Sequence, residues 1–132
     1  MEIFRTKRPE IIKIIYPYLI EAPDYTKEII AEQIALEMIK TPDNICLVIA
    51  IEGDKLIGFS ATWIVRNHAW IDQTWIDSNY DKEIGKEFLE QIKIWAIDKG
   101  LTDIRFETSR SAEAFSKAWG FEIFSSIMRM EL

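Results

Sequence analysis

Across residues 75–121 the apolar residues change spacing three times, and this constrains the fold more than anything else in the chain. A strand-like block ends near Asp77. Ile84, Phe88, Leu89, Ile92 and Trp95 then recur at helical intervals, and Lys99-Gly100 stops that helix with a cation for its dipole and a glycine for its left-handed cap. Residues 101–108 return to strand, with Ile104 and Phe106 on one face. Ser109 or Ser111 caps a short helix that runs through Trp119 and closes at Gly120-Phe121. A helix between two strands rules out a tight hairpin, so the strand at 101–108 is expected to pair parallel to one before it.

The first half supplies the partners for that strand. Residues 1–6 read as an edge strand. Pro9 suits a first helical position, Ile11, Ile12, Ile15 and Leu19 share a helical face, and Pro17 should shorten or kink the helix. A turn at 22–26 leads to a second helix with Ile30, Ile34 and Met38 at four-residue spacing, ended at 41–44 by Thr-Pro-Asp-Asn. Residues 45–51 are continuously apolar, as in a strand covered on both faces. A hairpin turn at 52–55 follows, then alternation over 56–65 that puts Ile57, Phe59, Ala61, Trp63 and Val65 on one face. Asn67-His68 makes the next turn. The third strand of this meander, 69–77, has an unusually polar middle: Asp72, Gln73 and Thr74. Residues 121–132 form a last extended segment, bent at Ser125-Ser126.

A chain of 132 residues with 48% apolar and 29% charged residues reads as one globular domain spanning 1–132. Its net charge of -6 weighs against nucleic acid and anionic membrane as partners. No apolar run reaches the roughly 20 residues that span a bilayer, and the N-terminus lacks a signal-peptide pattern. Cys46 is the only cysteine, so no intrachain disulfide forms and a cytoplasmic, reducing setting is expected. Ligand-spaced clusters of His, Cys and carboxylates are absent, so no metal is expected.

Strand, two helices, three antiparallel strands, helix, strand, helix, strand: this order resembles the GCN5-related N-acetyltransferase (GNAT) superfamily over nearly the whole chain. Leu56-Ile57-Gly58-Phe59 is similar to the strand that begins the family's central meander, and Ile76 sits where a family strand ends before the cofactor loop. Ala112, Phe115 and Gly120-Phe121 match the family's second conserved helix. The resemblance implies an α+β, GNAT-like fold: a twisted, mixed, mostly antiparallel sheet with helices on both faces, in the order β-α-α-β-β-β-α-β-α-β. It also implies acetyl-CoA or another acyl-CoA as cofactor, its diphosphate at the start of the long helix, where unpaired N–H groups face an anion. Pantetheine would follow the strand at Thr74, Trp75 and Ile76, and Lys82, Ile84, Gly85 and Lys86 would meet the diphosphate. The sequence departs from the family at that loop. Gly85 remains, but Asp81 and Glu83 stand where glycines would let bare backbone approach the phosphates. Ser116 stands where many family members place a tyrosine that protonates the departing thiolate.

Asp72, in mid-strand beside an expected splay, is the leading candidate for the base that accepts an amine proton, and Glu107 is the second. Asp72 facing solvent or pairing with Arg66 is the plainer alternative. His68, the only histidine, reads as a surface turn residue. Trp63, Trp70, Trp75 and Trp119 either line an acceptor groove or fill the core. Two functions remain open. One is an N-acyltransferase acting on a small-molecule or protein amine, with weakened catalysis. The other is a non-catalytic module of the same fold, an assembly component or regulatory partner of cellular or viral origin. A short C-terminal strand leaves an edge open to a second copy.

Overall fold

Strands β2 (Ile45–Glu52), β3 (Lys55–Val65) and β4 (His68–Ile76) form the antiparallel meander expected from their spacing. The computed structural model describes residues 1–21, 24–80, 82–107, 122–124 and 127–132. Edge strand β1 (Glu2–Thr6) pairs antiparallel with β2. After helix α3 (Lys82–Asp98), β5 (Asp103–Glu107) returns parallel to β4. Strands β6 (Glu122–Phe124) and β7 (Ile127–Glu131) complete a sheet of order β1-β2-β3-β4-β5-β7-β6, with β7 antiparallel to β5. This is a GNAT-like α+β fold. The short helix expected after Ser109, with Ala112, Phe115, Trp119 and Gly120-Phe121, lies outside the described residues.

Helices cover both faces. Ile84, Phe88, Ile92, Trp95 and Ala96 of α3 pack on Cys46, Val48 and Ala50 of β2 and on Ile104 of β5. On the other face, Ile15 and Leu19 join Ile30, Ile34 and Met38 of α2 (Lys27–Lys40) over Leu47, Ile49, Phe59 and Ala61. That is why β2 is apolar at every position but its last. The first helix is cut to one α turn, α1 (Ile12–Ile15), continued by a 3-10 turn at Tyr16–Tyr18 that contains Pro17. Thr26 caps α2, its hydroxyl accepting from the Ile29 N–H. Helix α3 ends in a Schellman motif: Gly100 has φ 70, Leu101 N–H donates to Ala96 O, and Gly100 N–H donates to Ile97 O.

The register differs from strict alternation at two points. In the β2–β3 pair, Ala50 faces Gly58 and Ile51 faces Leu56, so Ile57 is an extra residue. Ile57 therefore packs under α3 while Phe59, Ala61 and Trp63 face α1 and α2, not all on one face as the alternation implied. Gly58 is required there, because a Cβ would lie 2.8 Å from the Trp75 carbonyl oxygen. In the β3–β4 pair, Ala61 faces Gln73 and Thr62 faces Ile71, which leaves Asp72 as the extra residue. The turn before β4 is Arg66-Asn67, one residue earlier than expected, with Arg66 in the left-handed region at φ 57. Among the described residues, no helix is long and apolar enough to cross a membrane.

Candidate functional site

Strand β4 is paired with β5 at one end only. The parallel ladder matches His68 with Asp103, Ala69 with Ile104 and Trp70 with Arg105, and goes no further, although β4 continues to Ile76. Beyond Trp70 the side of β4 that faced β5 has no ladder partner among the described residues. A strand edge of this kind presents backbone N–H and C=O groups to any extended ligand that can pair with it.

The Asp72 bulge shapes this open stretch. Ile71 packs on the α3 face, but Gln73 and Trp75, after the bulge, face α1 and α2. Asp72 is exposed and makes no hydrogen bond or ion pair with another described residue. Gln73 is 7% exposed and spent on the backbone of Ile20: it accepts from the Ile20 N–H at 2.9 Å and donates to the Ile20 carbonyl at 3.0 Å. Its amide thus acts as a one-residue strand that fastens the segment after the first helix to β4. Two residues on, Trp75 stacks against Tyr18, with ring centroids 3.9 Å apart. On the opposite face Thr74 hydrogen-bonds the buried Ser60 hydroxyl at 2.9 Å. The open stretch is therefore held from both faces while its edge stays clear.

Beyond Ile76 the chain turns sharply into α3. Asp77 N–H donates to Ile57 O, Tyr80 N–H donates to Asp77 O, and the Asp77 carboxylate accepts from the Asn79 N–H at 2.9 Å. That backbone donor, ahead of Lys55 at 3.3 Å, holds the Asp77 carboxyl below the usual carboxylate range against its partial desolvation. Ile84 anchors the first turn of α3 in the core and Gly85 is buried beside it. Glu83 and Lys86 are exposed and lie 3.4 Å apart.

The paired end has the opposite character. Asp103, 4% exposed, sits between the His68 ring, whose Nδ1 it contacts, and Arg105, whose Nε donates to it at 2.9 Å. Burial pushes the Asp103 carboxyl up, but hydrogen bonds from Arg105 and His68 outweigh it and the net direction is down. His68 is thus half-buried and paired, where the sequence suggested a surface turn residue.

The sequence candidates fall into three groups. Asp72, Thr74, Trp75 and Ile76 lie together on the open stretch of β4. Lys82, Ile84, Gly85 and Lys86 occupy the first two turns of α3, and Glu107 is the last residue of β5. Asp81 and Ser116 lie outside the described residues. Of the tryptophans proposed to line a groove or fill the core, Trp63 and Trp75 pack beside the α1–α2 cluster. Gln73, Tyr18 and Ser60 were not anticipated. Only the polar run Asp72-Gln73-Thr74 signalled that this strand was unusual.

The sequence model of the acetyltransferase (GNAT) family matches residues 9–121. Solved structures agree in fold at low identity. PaiA N-acetyltransferase from Thermoplasma acidophilum, in complex with coenzyme A, is 22% identical over 100% of both chains, with a TM-score of 0.72. Ribosomal-protein-alanine N-acetyltransferase from Brucella melitensis is 13% identical over 100% of both chains, with a TM-score of 0.75. A GNAT-family acetyltransferase from Staphylococcus aureus Mu50 is 15% identical over 99% of this chain and 98% of its own, with a TM-score of 0.73. A search of curated proteins by sequence finds no match.

Proposed function

The chain belongs to the acetyltransferase (GNAT) family, and from that premise we propose that it is an acyl-CoA-dependent N-acyltransferase acting on a small-molecule or protein amine. The observation that carries this reading is the open edge of β4, interrupted by the bulged and unpaired Asp72. The likeness in fold to a coenzyme A complex supports the choice of cofactor. When bound, an acyl-CoA supplies an activated acyl thioester.

The chain's own residues have these roles. Backbone groups of Thr74, Trp75 and Ile76 pair with the pantetheine arm, and an N–H of this stretch steadies the developing oxyanion. Lys82, Ile84, Gly85 and Lys86 meet the diphosphate at the α3 entrance. Asp72 takes the proton of the attacking amine, with Glu107 as the second candidate. Ser116 stands at the position of a proton donor to the departing thiolate, a role for which a serine hydroxyl is poorly acidic.

The diphosphate site is weakened. Asp81 and Glu83 put negative charge where the family has glycines, and Glu83 partly neutralises Lys86. Replacing both acids with glycine should tighten binding of coenzyme A. Calorimetry with coenzyme A and acetyl-CoA tests the reading directly, and no binding at millimolar ligand ends it. With an amine panel and free-thiol detection, Asp72→Asn should lower turnover roughly a hundredfold and leave the unfolding midpoint unchanged, since the side chain is exposed. The same acids and Ser116 favour a second reading, a non-catalytic module of this fold. Thiol release with any amine eliminates that alternative.

A further inference from the structure

Glu52 and Lys55 face one another where the β2–β3 hairpin closes, on either side of Gly53-Asp54. Both reach the loop at 77–80 that leads into α3. Lys55 Nζ lies 3.3 Å from the Asp77 carboxylate, and the Tyr80 hydroxyl donates to the Glu52 carboxylate. Between these two contacts the loop closes on itself, Tyr80 N–H to Asp77 O at 3.0 Å, and is tied to β3 by Asp77 N–H to Ile57 O at 2.8 Å. The Tyr80 ring packs on the α3-side core. Its hydroxyl is shifted to a higher pKa, first by the Glu52 hydrogen bond, and so remains a donor at neutral pH.

A loop rich in glycine acquires its shape from backbone freedom. This loop has no glycine between Ile76 and Gly85, so side chains must hold its position. We infer that the end of the β2–β3 hairpin braces the entrance of α3, with Tyr80, through Glu52, as a positioning residue for the coenzyme diphosphate. This inference rests on the acyl-CoA reading above. Glu52 and Lys55 are exposed, so their contacts add little to overall stability. Their effect falls on the placement of the loop.

The test is calorimetric titration of the intact protein with coenzyme A, and with pantetheine, which has the arm without the diphosphate, followed by ligand NMR. Tyr80→Phe keeps the ring in the core and removes the hydroxyl. Tyr80→Phe and Glu52→Ala should each weaken coenzyme A binding roughly three- to tenfold, the effect of one lost hydrogen bond to a charged group. The double variant should be no weaker than either single one. Glu52→Gln, which keeps an oxygen acceptor, should restore most of the affinity. Pantetheine binding should not change. Unaltered coenzyme A affinity in both single variants overturns the brace and leaves the acyl-CoA reading standing. An equal loss for pantetheine also overturns the brace, since it marks general loosening. Failure of coenzyme A to bind the unmodified protein removes both.

Discussion

The two ends of β4 solve opposite problems with the same backbone. At His68–Trp70 the strand is zipped to β5 and its first side chain is committed to a buried carboxylate flanked by Arg105. From Ile71 to Ile76 the ladder stops, one residue bulges, and support comes from the faces through Gln73–Ile20, Trp75–Tyr18 and Thr74–Ser60. A parallel strand pair can open into a cleft without fraying only if one end is pinned and the free part is gripped from above and below. The difference teaches where rigidity is needed: in the pin and in the grips, not along the edge left open for a ligand.

Removing the pin should have the largest effect. Asp103→Ala strands Arg105 and His68 without their acceptor and should cost about 3 kcal/mol, a value at the low end for breaking a buried ion cluster because both partners are partly exposed. Urea unfolding measures it. The same carboxyl makes the pin sensitive to acid. Its native pKa is depressed, so the folded state binds fewer protons than the unfolded one. Its contribution is complete above the ordinary aspartate range, about pH 4, and is lost as pH falls through the lower native value. Unmodified protein should therefore lose more stability than Asp103→Asn between about pH 5 and pH 3.

Loosening a grip should come next. Gln73→Leu leaves the Ile20 N–H and carbonyl without partners and should cost about 2 kcal/mol by the same unfolding assay. Because Ile20 lies on the side of α1 and α2, amine turnover should fall while coenzyme A affinity holds. If coenzyme A affinity drops as far as turnover does, the two faces of the open stretch are not independent. The smallest effect should come from the turn that feeds the pinned end. Arg66 holds φ 57, a region that disfavours any residue with a Cβ, so Arg66→Gly should stabilise the protein by about 1 kcal/mol and raise its thermal midpoint without touching the open end.

Much of this was legible before any coordinates. Continuous apolarity over residues 45–51 announced β2 as the strand covered on both faces, and four-residue spacing of Ile30, Ile34 and Met38 announced the buried stripe of α2. The parallel return of β5 followed from the intervening helix. Asp72 was singled out by its polarity in mid-strand, but its position on a bulge was not, because a bulge is a property of two strands. It exists where Ala61 and Thr62 of β3 choose Gln73 and Ile71 and pass over the residue between them. That choice reverses the facing of everything after it, so Gln73 reads as solvent-facing in strict alternation and is buried in fact.

Local chemistry along the chain was enough to specify which segments are helix or strand, where they stop, and that the sheet must be mixed, since periodicity and caps act within a few residues of their own position. The opening between β4 and β5, the reversal at Asp72, the His68–Asp103–Arg105 pin and the hairpin that braces residues 77–80 arose from packing. Each depends on groups 14 to 53 residues apart, or on strands from different parts of the chain. No short-range pattern encodes which of those distant groups will meet, because their meeting is settled by the burial of the whole core.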